Sequence, residues 1–258
     1  MRRPYREPLE RETGECCWSR AITSTVRRAD TLDEMTDDEI SELIGSVPEV
    51  IGGRRSWWLR NANQERHERA RRAGLVAVRT VQQLRRPLPL EHELGDPDPA
   101  HLDPAAGLRS FDPERDAETW LALNKRAFAH HPDQGTWTRA DLDERLRADW
   151  FDPRGFLVHV GPDGDMDGFC WTKIHRRTST SIGEIYVIGI DPARNGTGLG
   201  RAMTLAGLSW MQEHGDVDVA MLYVESDNQP ALRLYQSLGF IHHHDDIAYE
   251  LPAAAGIS

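Results

Sequence analysis

The chain has 258 residues, with 42 Asp and Glu against 31 Lys and Arg and a formal charge of −11. That length allows one large or two small domains, and the acidity argues against a nucleic-acid partner, which needs a basic face. No apolar run approaches the roughly 20 residues of a membrane span. The first residues lack the apolar core of a signal peptide, and three cysteines, Cys16, Cys17 and Cys170, do not make a disulfide framework. A cytoplasmic protein without a membrane partner is expected.

In chain order, residues 1–30 are charged and aperiodic and read as disordered. Residues 57–86 read as strand, helix, glycine, strand. They echo 222–251 in register: Asn63-Gln64 falls on Asn228-Gln229, Gly74 on Gly239 and Ala70 on Tyr235. This reads as an internal repeat of one structural unit, degenerate in its first copy. Gly52-Gly53 alone is too little to count as a glycine loop. Residues 87–106, with Pro87, Pro89, Pro97, Pro99 and Pro104, read as a linker. Beyond it come a strand at 108–111, helices at 116–129 and 138–148, and strands at 156–160 and 168–175. A strand at 184–190, a helix at 199–214, a strand at 219–224, a helix at 229–238 and a strand at 246–251 follow. The first of these helices carries an apolar stripe of Trp120, Leu123, Ala127 and Phe128. His130-His131 reads as a polar helix end. His242-His243-His244-Asp245-Asp246 reads as a solvated loop, because neighbours on an extended segment point to opposite faces and cannot share one ion. No metal is expected.

Two stretches carry chemistry. The apolar run Glu184 to Ile190 leads into Asn195-Gly196-Thr197-Gly198-Leu199-Gly200-Arg201, which opens a helix. Glycines at a helix start bare backbone N–H groups at the positive end of the macrodipole, where a pyrophosphate fits. The spacing is neither the dinucleotide fingerprint nor a P-loop. In the second stretch, a strand runs into Asp227-Asn228, a natural helix cap. Pro230 lies in the first turn, and Leu232, Tyr235 and Leu238 follow at helical spacing before Gly239.

The glycine stretch resembles the acetyl-CoA loop Gln/Arg-x-x-Gly-x-Gly/Ala of the GNAT superfamily of N-acetyltransferases. Asn195 stands where that family usually has Gln or Arg, with Arg194 adjacent. The second stretch resembles the Asn-x-x-Ala helix and Leu-Gly-Phe end that close the same site. The resemblance covers roughly residues 107–251 and implies an α/β (α+β) fold, a mixed sheet flanked by helices. The domains expected are a degenerate, shortened unit of that fold at 1–86, the linker at 87–106 and a catalytic domain at 107–252. The runs AFAHHPDQGTW, FCWTKIH, GEIYVIGIDP and LYVESDN, with the repeat, resemble more narrowly the mycothiol synthases of actinobacteria. That implies acetyl transfer from acetyl-CoA to the cysteinyl amine of cysteinyl-glucosaminyl-inositol. The alternatives are transfer to another amine, such as a peptide N-terminus or amino acid, and a remnant that binds acetyl-CoA without turnover.

Candidate residues follow. An α-amino group titrates near ~7.7–8.0, so a carboxylate suffices as base; Glu184 is the candidate. Tyr235 is the general acid for the departing thiolate. A backbone N–H of Ile188-Gly189-Ile190 is expected to hold the oxyanion, since a glycine inside a strand often marks a bulge or close ligand approach. The resemblance lays acetyl-CoA along Ile188, Gly189 and Ile190, then Asn195 to Arg201, then Asn228, Gln229, Pro230, Ala231, Leu232 and Arg233. It places Asp133, Lys173, Glu184 and Tyr223 against the acceptor. The partners expected are thus acetyl-CoA and a small thiol precursor, with a monomer favoured.

Overall fold

The computed structural model describes residues 56–89, 107–131, 134–176 and 181–250. The expected disorder at 1–30, Cys16-Cys17, Gly52-Gly53, most of the linker and Asp133 lie outside the described residues.

The first copy of the repeat forms strand β1 (Ser56–Leu59), helix α1 (Gln64–Arg72) and strand β2 (Val76–Pro87). The second forms β7 (Val217–Glu225), α5 (Gln229–Ser237) and β8 (Ile241–Glu250). Both helices start on an asparagine: the Asn63 side chain accepts from the Arg66 N–H, and that of Asn228 from the Ala231 N–H. Both are followed by a left-handed glycine, Gly74 at φ +83° and Gly239 at φ +78°. The chain reverses after each helix because glycine adopts that conformation without a Cβ penalty.

The two units interlock in one eight-stranded sheet ordered β1-β8-β2-β7-β6-β5-β4-β3. The other strands are β3 (Leu108–Ser110), β4 (Phe156–Val160), β5 (Met166–His175) and β6 (Ser181–Ile190). Strand β2 lies between β7 and β8, and β8 between β1 and β2. Each unit thus inserts its last strand into the other. All neighbours are antiparallel except β6 and β7, which are parallel. Leu88, assigned to the linker from sequence, is buried, and its N–H donates to the Asp218 carbonyl.

Reciprocal insertion corrects the reading of His242-His243-His244-Asp245-Asp246. These residues belong to β8, paired to β2 from Gln83↔His244 through Val81↔Asp246. A polar segment can be a strand when a neighbour satisfies its backbone, and that neighbour lies about 160 residues earlier in the chain, beyond the reach of local pattern. Asp246 is buried and accepts from the Arg60 guanidinium at 2.9 Å and the Asn61 N–H at 2.9 Å. Among the described residues no cluster of His, Cys, Asp and Glu is arranged to hold a metal, and no helix is long and apolar enough to cross a membrane.

Helices cover both faces. Helix α4 (Leu199–His214) and α5 pack behind the sheet on Cys170, Ile185, Ala220, Leu222 and Val224. Helix α2 (Pro113–Ala127) and α3 (Arg139–Leu146) pack in front, on Phe156, Phe169, Trp171 and Val187. Trp120 is fully buried there, edge-on to Phe156, Phe169 and Trp171. Helix α2 begins at Pro113, three residues before the expected start, because Asp112 caps it and Pro113 takes the first turn, where a missing N–H costs little.

Helix α2 is tied to β3 by Arg109, whose guanidinium bonds both oxygens of the buried Asp116 at 2.5 and 2.9 Å. Burial alone would raise the Asp116 pKa. Hydrogen bonds from Arg109, the Asp112 amide and Arg115 outweigh it and lower the value from 3.8 to about 2. A carboxyl whose folded pKa is depressed stabilises above its unfolded pKa and loses that contribution as pH falls through the folded one. Asp116→Asn should therefore cost about 2 kcal/mol at pH 7, with the difference from wild type closing between about pH 4 and pH 2. Urea unfolding at several pH values measures it; a difference that does not shrink with acidification would contradict the assignment.

Candidate active site

The site starts from a defect in the sheet. Strands β6 and β7 pair from Ser181↔Val217 to Ile185↔Leu222 and no further, although β6 runs on to Ile190 and β7 to Glu225. The cause lies on the other side of β6. Trp171 pairs with Val187 but Thr172 with Ile185, so Tyr186 is an extra residue. Such a bulge bends and twists its strand, and β6 leaves β7 at that point. The result is a wedge in which β6 runs on from Tyr186 to Ile190 beyond its last pairing with β7.

The bulge is therefore at Tyr186 and not at Gly189, where a glycine in a strand suggested it. Gly189 has another cause: a Cβ there would lie 2.6 Å from the Phe169 ring and 3.2 Å from Ala127. It lets α2 and β5 close over β6.

The glycine stretch stands beyond the wedge. Gly196 and Gly198 have φ of +77° and +89°, and a Cβ on either would meet nothing within 4 Å. Their requirement is conformational. Gly198 is the N-cap of α4 and supplies no side-chain capping bond, unlike a Ser or Asp at that position, so the helix starts with bare backbone facing the loop. At Gly200 a Cβ would make ordinary contacts of 3.5 Å with Leu234 and 3.8 Å with Ile190, so alanine fits there. The loop is braced from beneath. The Thr197 hydroxyl donates to the Arg194 carbonyl at 2.7 Å, and Arg126 holds Asp191 at 2.7 Å. The Arg194 guanidinium lies 3.1 Å from Asp167; it is engaged at the base of the loop, whereas Asn195 is exposed on it.

Of the second stretch, the Asn228 side chain is used as the cap of α5 and Gln229 bonds the Ser226 carbonyl. Leu199 and Leu232 point into the core behind the sheet, so only their backbone is open to a ligand. Arg201 reaches Ser237 at 3.2 Å, joining α4 to α5, and Arg233 is exposed.

Residue alternation sorts the remaining candidates by face. Lys173 on β5 pairs with Glu184 on β6, and Glu184 with Met221 on β7. Met221 pairs with Arg85 on β2, and Tyr223, two residues on from Met221, pairs with Gln83. The front face thus carries Lys173, Glu184, Tyr223, Gln83 and Arg85 as one polar floor. Glu184 is buried, with His175 Nε2 2.6 Å from its Oε2. The Lys173 ammonium lies over the rings of Trp150, at 4.7 Å, and Tyr186, at 5.6 Å. The Tyr223 hydroxyl accepts from Gln83 Nε2 at 2.6 Å, and Arg85 Nε donates to Gln83 Oε1 at 2.7 Å.

One edge of this floor is closed by the segment after α2. His131 lies 2.8 Å from Arg79 and 3.5 Å from Glu225, and the Asn124 amide fixes the Gln134 carbonyl at 2.6 Å. Burial raises the Glu225 pKa, but His131 and Arg79 outweigh it and hold the carboxylate ionised. His131, read from sequence as a plain helix end, is a bridge between β2, β7 and this wall.

Tyr235 lies at the back, in the core with Cys170 and Phe240. Burial, reinforced by the neighbouring Cys170, raises its pKa above the ordinary phenol value, so the hydroxyl is protonated at neutral pH. Burial pushes the Cys170 thiol up to about 12 and leaves it inert. Strand β2 buttresses the helix of Tyr235: the buried Arg86 donates to the Leu238 carbonyl at the end of α5. Glu184 thus stands on the front of the sheet, on the strand that opens the wedge, and Tyr235 on a helix packed behind the sheet.

Sequence reasoning missed His175, Gln83, Arg85 and Arg86. His175 ends the quoted run FCWTKIH, two residues from Lys173 and so on its face. The three β2 residues carry no local signal, because only the strand exchange brings them to the site.

Residues 117–240 match the model of the Acetyltransferase (GNAT) family. That region is a GNAT-family acetyltransferase domain. Mycothiol acetyltransferases are among the relatives of the chain. That of Acidimicrobium ferrooxidans is 48% identical over 185 residues, covering 70% of this chain and 58% of the relative. That of Paenarthrobacter aurescens is 41% identical over 212 residues, covering 80% and 64%. The chain thus matches 58% and 64% of the length of these two relatives. Among solved structures, a GCN5-related N-acetyltransferase from Sphaerobacter thermophilus superposes with TM-score 0.59 at 18% identity, over 84% of this chain and 66% of that one. A tandem GNAT protein from the clavulanic acid biosynthesis pathway superposes with TM-score 0.51 at 17% identity, over 75% and 60%. These two show the fold alone.

Proposed function

We propose that the protein transfers the acetyl group of acetyl-CoA to the cysteinyl amine of cysteinyl-glucosaminyl-inositol. The observation that carries the reading is the wedge between β6 and β7, with Glu184 in front, Tyr235 behind and the uncapped start of α4 beyond. The family match supports acetyl-CoA as cosubstrate, and the mycothiol acetyltransferase relatives support the acceptor.

The chemistry follows from the placement. The pyrophosphate lies on the first-turn N–H groups of Leu199, Gly200 and Arg201, where Gly196 and Gly198 let the backbone come close. The pantetheine arm fills the wedge along Ile188 to Ile190, making the hydrogen bonds that β7 leaves unmade. Glu184 takes the proton of the acceptor ammonium, and the free amine attacks the thioester carbonyl. A backbone N–H of the opened β6 edge stabilises the oxyanion. As the tetrahedral intermediate collapses the C–S bond breaks and Tyr235 gives its proton to the thiolate, and the second proton of the new amide nitrogen is released to restore the Tyr235 hydroxyl. Lys173, Tyr223 and Asp133 pair with the polar groups of the acceptor.

Tyr235→Phe should lower kcat by about 10²-fold or less, since thiolate is a tolerable leaving group, with acetyl-CoA affinity retained. Wild-type turnover would leave Tyr235 as a core aromatic. The reaction itself is tested by following thiol release from acetyl-CoA with and without cysteinyl-glucosaminyl-inositol and identifying the product by mass spectrometry. Acceptor-dependent release with an acetylated amine is expected. Binding of acetyl-CoA without release would overturn the reading in favour of a non-catalytic acetyl-CoA-binding protein.

A further inference from the structure

We propose that His175 is the positioning residue of the Glu184 carboxylate, an inference that rests on Glu184 being the base in the reaction above. The side chain of Glu184 is only 2% exposed and that of His175 is 19% exposed. A carboxylate so buried must have a hydrogen-bond donor to remain ionised. Among the described residues that donor is His175, whose Nε2 lies 2.6 Å from Oε2.

The pairing is diagonal. Directly across from Glu184 is Lys173, and across from His175 is Ile182. Lys173 turns its ammonium over Trp150 and Tyr186, and the imidazole two residues further along the same face takes the carboxylate. With Glu184 ionised, Nε2 carries the hydrogen and donates it to Oε2, which fixes the χ angles of the carboxylate and leaves Oε1 for the amine. His175 acts through Glu184 and contacts no reacting atom. The other charged groups on this face are the cations Lys173 on β5, Arg85 on β2 and Arg145 of α3, which bonds the Tyr186 hydroxyl at 3.3 Å, and the carboxylates Glu225 on β7 and Asp246 on β8, which Arg79 and Arg60 engage. All are the same in wild type and in His175 variants.

Two substitutions separate positioning from packing. His175→Gln keeps an N–H that can reach Oε2, and His175→Phe fills the space without a donor. In the Phe variant kcat should fall about 10-fold to 100-fold through misplacement of the base, with acetyl-CoA affinity unchanged. The Gln variant should recover most of the rate. A second readout needs no turnover: a crystal structure of His175→Phe should show the Glu184 carboxylate turned away from its wild-type position, and His175→Gln should hold it in place. An unmoved carboxylate in the Phe variant, or equal rates for wild type and the Phe variant, overturns the proposal. If the carboxylate moves in a protein that transfers no acetyl group, His175 still positions Glu184 and the acetyl-transfer reading is what fails.

Discussion

Gly198→Val is expected to weaken acetyl-CoA binding by at least about 100-fold, which corresponds to about 2.7 kcal/mol. Two effects add. At φ +89° a β-branched residue is strained, and escaping the strain rotates the first turn of α4 and scatters its N–H groups. If the conformation is kept, the isopropyl group projects into the open space where the glycines leave nothing within 4 Å, the space proposed above for the pyrophosphate. Gly200→Ala is the internal control. Gly200 lies inside the helix with ordinary room for a Cβ, so its affinity should stay near wild type. Isothermal titration of the wild type and both variants measures this. Retained affinity in Gly198→Val would place the pyrophosphate somewhere other than the start of α4.

Glu184→Gln should reduce turnover by about 10²-fold to 10⁴-fold, the usual worth of a positioned base. The change is close to isosteric, and the amide oxygen can still accept from His175, so the wedge and acetyl-CoA affinity should be preserved. The loss should therefore fall in kcat. It should shrink at high pH, where the acceptor amine is already free and needs no base. Steady-state rates from neutral pH to about pH 9.5, above the amine's pKa of roughly 8, measure both features. A Gln variant with wild-type rates at neutral pH would assign the buried carboxylate a structural role.

Much of this site was legible in the sequence because its signals are local. Helix 199–214 was bounded by a glycine at each end, and α4 runs Leu199–His214. The cap at Asn228 and the left-handed Gly239 bounded α5 equally well. Lys173 and Glu184, expected near one another from two separate runs, are direct cross-strand partners. What the sequence hid was non-local. The ten residues of β8 include a run of histidines and aspartates that reads as loop until β2 is known to lie beside it. The same exchange carries Gln83 to Tyr223 and Arg86 to the end of α5, so residues of the first copy pack into the second. Gly189 shows a subtler limit. A glycine in a strand has several causes, and only the Phe169 ring packed against it shows that here the cause is close packing while the bulge sits at Tyr186.

The floor built by Lys173, Glu184, Tyr223, Gln83 and Arg85 suits an acceptor with hydroxyl groups better than a free amino acid. Polar groups left unpaired when a bare acceptor binds cost about 1–3 kcal/mol each. The most direct test is the ratio of kcat/KM for cysteinyl-glucosaminyl-inositol to that for cysteine, in wild type and in Lys173→Ala. The account predicts a preference of at least about 10-fold for the full acceptor, equivalent to one unsatisfied group at about 1.4 kcal/mol, and its loss in Lys173→Ala. Equal kcat/KM for the two acceptors in wild type would contradict it and leave a GNAT acetyltransferase for some other amine.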